Sequence, residues 1–263
     1  MRKRFGQHFL SDKRIIDKII QCISPRTTDH FLEIGPGQGV LTIPLLKTDA
    51  ALHAIEIDRD LGQELSNLKT LYPKFELTIE DFLKWAEKNT LTTPMRIVGN
   101  LPYNITTPIF FALLPYSDSM IDCHFMIQKE VGKRIIAIPS TKAYGRLTVM
   151  MQYHYDIDYC FDVPPGAFSP PPKVDSCIIR LRPKHKKPLQ ALNYDLFMHL
   201  TATAFQYRRK QLSNSLKTIC DSTMIERANL NPNLRPDALS VRDFVTLSNY
   251  LWQSQQCLGT HND

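Results

Sequence analysis

Cysteine is scarce and scattered in this 263-residue chain: the six, at positions 22, 123, 160, 177, 220 and 257, never fall within four residues of one another. That excludes the usual zinc-ligand spacings and any recognisable disulfide framework, so reduced thiols packed as small hydrophobes are expected. The eight histidines form no HxH or HxxxH group, and no metal is expected. Long apolar runs are missing too. The longest charge-free stretch, Ile97 to Ser117, is interrupted by Asn100, Pro102, Asn104, Pro108 and Pro115, which excludes a membrane span. Arg2, Lys3 and Arg4 are followed by no apolar segment of the kind a signal peptide needs, so a cytoplasmic location is expected. Low-complexity tracts and internal repeats are absent. What is present is ordinary globular composition, 43% apolar and 22% charged, in a length that allows one large domain or a large and a small one.

Charge is uneven. The net charge is +6. Residues 1–22 carry +4 and residues 184–217 carry +6, leaving −4 for the rest. Two basic segments on a slightly acidic body form an electrostatic footprint for a polyanion. In Arg2-Lys3-Arg4-Phe5 and in Phe205-Gln206-Tyr207-Arg208-Arg209-Lys210 cations alternate with aromatics. Nucleic acid rewards that combination, since bases stack on rings while phosphates meet cations. Solvated helix faces would carry the same charges.

Apolar spacing predicts a helix over 11–23, with Ile15, Ile16, Ile19, Ile20 and Ile23 on one face and Ser11 or Asp12 as its cap. Strands are predicted at His30–Ile34, Ala51–Ile57, Lys74–Ile79, Met95–Gly99 and Ile121–Ile127. Helices are predicted between them at Gly39–Leu46, Asp60–Leu71 and around Pro108–Leu114. This alternation predicts an α/β fold with a parallel sheet covered on both faces. Gly145–Tyr155 reads as helix or strand. Cys160–Val163 and Val174–Leu181, flanking a Pro-rich loop, read as a closing pair of strands. The basic, Pro-bounded stretch Arg182–Pro188 marks a domain boundary, after which Tyr194–Lys217 and Ser240–Trp252 have helical periodicity. Ser240 with Asp243 has the spacing of a capping box.

After the first of the five alternating strands comes Glu33-Ile34-Gly35-Pro36-Gly37-Gln38-Gly39, opening into a helix. The third glycine comes one residue too early for the dinucleotide fingerprint, and Glu33 would repel a pyrophosphate. A cationic ligand with an amino group, such as S-adenosylmethionine, fits better. A tight strand-to-helix turn would use the same glycines. Glu56 ends the second strand 21 residues after Gly35, where α/β nucleotide folds grip ribose hydroxyls, and Asp81 follows the third. Asn100-Leu101-Pro102-Tyr103 follows the fourth. An aromatic exocyclic amine is a poor nucleophile because its lone pair is delocalised. The Asn100 amide oxygen and the Leu101 carbonyl can accept both amine hydrogens, orienting the lone pair and stabilising developing positive charge. Pro102 restricts Leu101 to extended backbone, and Tyr103 offers a flat face to a base taken out of its stack.

Phe5-Gly6-Gln7-His8-Phe9-Leu10, Glu33–Gly39, Ile55–Asp58, Glu80-Asp81-Phe82, Asn100–Tyr103, Phe168–Ser176 and the tail Phe205–Leu216 occur in that order. Together they resemble the KsgA-type ribosomal RNA adenine dimethyltransferase family over essentially the whole chain. The resemblance implies a Rossmann-like S-adenosylmethionine-dependent methyltransferase domain at 1–184 and a small all-helical domain, assisting rRNA binding, at 185–263. It implies methylation of N6 of two adjacent adenosines in a hairpin near the 3′ end of small-subunit 16S rRNA, during subunit maturation. Carried over by position, His8, Leu10, Gly35, Gly37, Glu56, Ile57, Asp81 and Asn100 would hold the methyl donor. Asn100 and Leu101 would hold the target amine, with Tyr103 and Phe168 sandwiching its base. One departure is His8, where the family commonly has Asn; a backbone contact survives that change.

The basic residues expected on RNA are Arg2, Lys3, Arg4, Lys184, Lys186, Lys187, Arg208, Arg209 and Lys210. The partner that the resemblance implies is the small ribosomal subunit, and nothing demands self-association, so a monomer is expected. Among other readings, an Erm-type methylase of large-subunit RNA is the nearest. The Phe168–Ser176 loop and the RRKQLSNSL tail favour the small-subunit enzyme. A DNA adenine methylase lacks room for a target-recognition domain. A non-catalytic ribosome assembly factor would use the basic segments but not Asn100–Tyr103. A dehydrogenase fits least, given Glu33 and the glycine spacing.

Overall fold

A computed structural model describes residues 8–185 and 189–259. The chain divides into two compact units. One holds the described residues up to Gly132 together with Tyr155–Pro183; the other holds Lys133–His154 and the described residues from Lys184 onward.

The first unit begins with a two-residue strand, β1 (Phe9–Leu10), and helix α1 (Lys13–Ile23). Asp12 caps α1, accepting from the amides of Arg14 and Ile15, and Ser24 ends it in the left-handed region at φ +50°. The isoleucine face of α1 is its core face. Ile19 and Ile23 are buried with Phe31, Leu52 and Val98, each such side chain contributing about 1.5–3 kcal/mol by leaving water. Then follow β2 (His30–Ile34), α2 (Thr42–Leu46), β3 (Ala51–Glu56), α3 (Arg59–Ser66), α4 (Leu68–Leu71), β4 (Phe75–Ile79) and α5 (Phe82–Lys88). After them come β5 (Met95–Asn100), α6 (Thr106–Leu113), β6 (Met120–Gln128) and α7 (Lys129–Ile135), which carries the chain into the second unit. The chain returns at β7 (Tyr155–Val163), β8 (Phe168–Ser169) and β9 (Ser176–Pro183).

The seven-stranded sheet has the order β4-β3-β2-β5-β6-β9-β7. Five strands are parallel, as the strand–helix alternation predicts. β9 and β7 are antiparallel, because the loop between them turns the chain back without a crossover helix. The order reverses around β2 and β5, so the ligand crevice of such a sheet lies at their carboxyl ends. β1 pairs with β8 in a separate two-stranded ladder that spacing along the chain did not reveal. The predicted 39–46 helix starts only at Thr42, since Gly39 sits at φ +77°. The predicted 60–71 helix is two pieces that meet at Asn67. Helix α5, capped by Asp81, was not anticipated.

The second unit is built on α8 (Arg146–His154), α9 (Tyr194–Gln206), α10 (Leu212–Ser215), α11 (Ser222–Arg227) and α12 (Val241–Gly259). Its core contains Phe197, Leu200, Phe244, Leu247 and Leu251. The Tyr153 and Phe197 rings meet at 4.7 Å, and His154 Nε2 bonds the Tyr194 hydroxyl at 2.8 Å. The capping box at α12 is formed: Ser240 N donates to Asp243 Oδ2 at 2.8 Å and Asp243 N to Ser240 Oγ at 3.2 Å. The chain's last passage between units falls at Pro183/Lys184, one residue before the predicted 184/185 boundary. Residues 133–154, placed with the sheet by the sequence reading, belong to the helical unit instead. The reason is that α8 is buried around most of its circumference, at Leu147, Thr148, Val149, Met150, Met151, Tyr153 and His154, and needs helices on several sides.

Candidate active site

The carboxyl ends of β2, β3 and β4 are built by backbone geometry as much as by side chains. Gly35, Gly37 and Gly39 all lie at positive φ, +67°, +57° and +77°, a region that only glycine enters freely. A side chain built at Gly35 would meet open space, so a ligand can approach the backbone there. Gly37 packs beneath the Phe9 ring. At the end of β3, Glu56 is buried. Its Oε2 accepts from Gly37 N at 2.9 Å and its Oε1 from Asp58 N at 2.9 Å. Burial raises its pKa, against the pull of those amide bonds. Ile57, the next residue, is 46% exposed, an apolar side chain left open beside the crevice. Asp81 is half-buried and accepts from Leu83 N at 2.9 Å with Oδ1. Glu33 lies beneath the loop, 1% exposed, accepting from Thr42 Oγ1 at 2.7 Å. Burial pushes its pKa up to about 7, with a further push from the Glu56 charge.

The end of β5 carries the second cluster. Leu101 N donates to Met126 O at 3.0 Å, and Pro102 O accepts from Ile105 N and Thr106 Oγ1, so Asn100–Tyr103 forms a braced turn. The Tyr103 hydroxyl bonds Oγ of the fully buried Ser176 at 2.6 Å. Asn100 Nδ2 donates to the His8 carbonyl at 3.3 Å, and the His8 ring stacks on Tyr103 with centroids 6.1 Å apart. His8 Nδ1 lies 2.8 Å from Pro170 O.

The structure therefore brings His8, Gly35, Gly37, Glu56, Ile57, Asp81, Asn100, Leu101 and Tyr103 to the carboxyl edge of adjacent strands. Two expectations change. Phe168 is 4% exposed and packed in the core, so its ring presents no face beside Tyr103. The Leu10 side chain is buried in the same core, leaving only its backbone for a ligand. Both follow from the β1–β8 ladder, which pairs Leu10 with Phe168 and turns the two side chains inward. The role of Ser176 was not foreseen. It lies at the end of the Phe168–Ser176 motif, but its partner Tyr103 is 73 residues away. Among the described residues no group of three or more His, Cys, Asp or Glu is placed to hold a metal.

The basic residues divide likewise. Lys184 Nζ donates to Gln152 O at 2.8 Å at the end of α8, which ties this cation into the fold. Arg208 donates to the carbonyls of Thr141 and Lys142 and pairs with Asp237 at 3.7 Å. Arg209 and Lys210 are exposed, with Lys210 Nζ 4.9 Å from the centre of the exposed Tyr207 ring. Arg2, Lys3, Arg4, Lys186 and Lys187 lie outside the described residues.

A mixed sheet of this order, with its glycine loop, ribose-range carboxylate and Asn-Leu-Pro-Tyr turn at one end, defines the class of Rossmann-like methyltransferases. A dimethyladenosine transferase from Plasmodium falciparum is superposable with a TM-score of 0.78 at 27% identity, covering 91% of this chain and 96% of that one. The 23S rRNA methyltransferase ErmE gives 0.69 at 25% identity, covering 93% and 100%. The family model for ribosomal RNA adenine dimethylase matches residues 1–253, and the chain belongs to that family. Curated relatives named ribosomal RNA small subunit methyltransferase A are 46% identical. The protein of Legionella pneumophila (strain Corby) matches over 95% of this chain and 97% of its own. That of Alcanivorax borkumensis matches over 94% and 89%. No helix among the described residues is long and apolar enough to cross a membrane.

Proposed function

We propose that this chain uses S-adenosylmethionine to dimethylate N6 of two adjacent adenosines in the 3′-terminal hairpin of 16S rRNA during small-subunit maturation. It would act in the cytoplasm as a monomer. The observation that carries the reading is the Asn100–Tyr103 turn standing beside the glycine loop on neighbouring strands. The relatives that share 46% identity support the small subunit as substrate, whereas the large-subunit enzyme shares 25%.

The residues fit the donor. Open space at Gly35 admits its amino-acid part against bare backbone, and the carboxylate of Glu56 beside the loop suits a cation and disfavours a phosphate. In this reading Glu56 accepts from ribose hydroxyls and Asp81 from the adenine amine, and the exposed Ile57 side chain covers an adenine face. When bound, S-adenosylmethionine supplies a methyl group already activated by its sulfonium.

The chain's own work is then positioning and electrostatics. The Asn100 Oδ1 and the Leu101 carbonyl accept the two hydrogens of the target amine, turning its lone pair toward the donor. They also stabilise the positive charge that grows on nitrogen. Tyr103, held by Ser176, stacks on the flipped base. Arg209, Lys210 and Tyr207 form the described part of the RNA-binding surface.

The test is methyl transfer from labelled S-adenosylmethionine to small subunits from a strain lacking the modification, with large subunits in parallel. Dimethyladenosine on small-subunit RNA alone is expected. Label on large-subunit RNA would replace the substrate assignment, and binding without label on either would leave a non-catalytic assembly factor.

A further inference from the structure

His8 is joined to three parts of the reacting end at once. Its carbonyl accepts from Asn100 Nδ2 at 3.3 Å, its ring lies against Tyr103 at 6.1 Å and 27°, and its Nδ1 is 2.8 Å from the Pro170 carbonyl. The third contact sets the tautomer, because a carbonyl only accepts and Nδ1 must therefore carry the proton. The first contact has a consequence for Asn100. A side-chain amide has one accepting and one donating end, and which end faces the site is decided by its partners. With Nδ2 committed to the His8 carbonyl, Oδ1 is the end left to face a target amine.

We propose that His8 is a positioning residue for the acceptor amine, fixing the Asn100 amide through its backbone carbonyl and bracing Tyr103 with its ring. The anchor that keeps it there is the Nδ1–H bond to Pro170. The inference rests on the proposed methyl-transfer reading and gives His8 a role on the acceptor side of the site, distinct from a contact to the donor. The loop Phe168–Ser176 holds both rings, since Pro170 anchors His8 and Ser176 bonds Tyr103. No spacing along the chain links these residues; His8 and Pro170 are 162 positions apart.

The chemistry selects the variants. An asparagine amide places an N–H one atom beyond Cγ, as the imidazole Nδ1 does, and can donate to the same carbonyl. Alanine has no donor, and aspartate offers only acceptors to a carbonyl. Full-length His8→Ala, His8→Asp and His8→Asn proteins would be compared with wild type by steady-state methylation of unmodified small subunits, varying donor and subunit separately.

His8→Ala and His8→Asp are expected to lower kcat about 10-fold, the cost of a loosened catalytic group, with the KM for S-adenosylmethionine within about twofold of wild type. His8→Asn is expected to recover most of the lost rate. A raised donor KM with unchanged kcat in His8→Ala would overturn the proposal in favour of a donor contact. Equal rates for all four proteins, or His8→Asn as slow as His8→Ala, would overturn it outright. Thermal unfolding of each variant separates loss of fold from loss of positioning: a slow His8→Ala protein that melts as wild type while His8→Asn is restored supports the anchor. Absence of label with wild-type protein would refute the methyl-transfer reading itself, before any variant is compared.

Discussion

The two ends of one sheet use polar residues in opposite ways. At the amino end, Arg96 at the start of β5 is 7% exposed, and its guanidinium is fully engaged. It donates to both oxygens of Asp122 at 2.8 and 3.0 Å, to Asp29 at 2.8 Å, and to the Ile23 carbonyl at 2.6 Å. Arg180 completes the cluster on Asp122 at 3.1 Å. Burial would raise the Asp122 pKa, but the Arg96 hydrogen bonds and the surrounding positive charge hold it below the ordinary value. A cavity of about 260 Å³ opens there, yet Arg96, Asp29 and Asp122 on its wall are spent on one another and on the end of α1. At the carboxyl end the polar groups are held in place but keep accepting capacity: Glu56, Asp81 and the Asn100 oxygen. Saturated buried charge holds a fold together, whereas oriented acceptors beside open backbone wait for a ligand.

That contrast can be broken first at the amino end. Arg96→Met should cost about 3–5 kcal/mol, because it leaves Asp122 buried with less than its full charge compensation. Chemical denaturation would read the loss, and the folded fraction at low temperature should keep its methylation rate. The opposite dissociation is expected from Asn100→Ala. Its kcat should fall at least about 100-fold, the scale of losing one transition-state partner, with little change in melting temperature and small-subunit binding intact. If both variants lost stability and activity together, the division between the two ends would fail.

Glu33 sharpens the comparison, being a carboxylate at the ligand end that is buried with no ion pair of the Arg96 kind among the described residues. Its folded pKa of about 7 stands above its ordinary 4.5. The folded state therefore holds a proton that the unfolded chain has released. Its contribution to stability is whole below about pH 4.5 and is lost as pH rises through about 7. Glu33→Gln keeps an acceptor for Thr42 and should flatten the stability–pH curve across that window. At pH 8 it should gain on the order of 2 kcal/mol over wild type, which denaturant titrations at a series of pH values would show. The smallest effect is expected outside the sheet. Lys210→Ala should weaken subunit binding a few-fold and reduce the salt slope by about one, while Lys184→Ala, a cation bonded to a helix carbonyl, should change stability more than salt dependence.

Much of the catalytic end was legible because it is written locally. Gly35, Glu56, Asp81 and Asn100 each end or closely follow a strand whose apolar run is readable, and strand ends in a parallel sheet share one edge. The Ser240–Asp243 box and the isoleucine face of α1 were legible for the same reason, since caps and helical faces span only a few residues. Phe168 was not. Its neighbours Ser169 to Pro172 read as a site loop, but pairing with Leu10 buries the ring. Residues 133–154 carry no composition break, so nothing along the chain separates them from the sheet they follow.

Local pattern along the chain was enough for the five parallel strands and most of the helices between them, the glycine loop, the ribose-range carboxylate and the family. These depend on period, capping and backbone freedom, which act over a few residues. Folding in three dimensions settles which cations are spent inside the fold and which face solvent, which aromatic ring is left at the surface, and that His8 reaches Asn100 and Pro170. Those outcomes are set by partners tens to more than a hundred residues away, and distance along the chain carries no record of who meets whom.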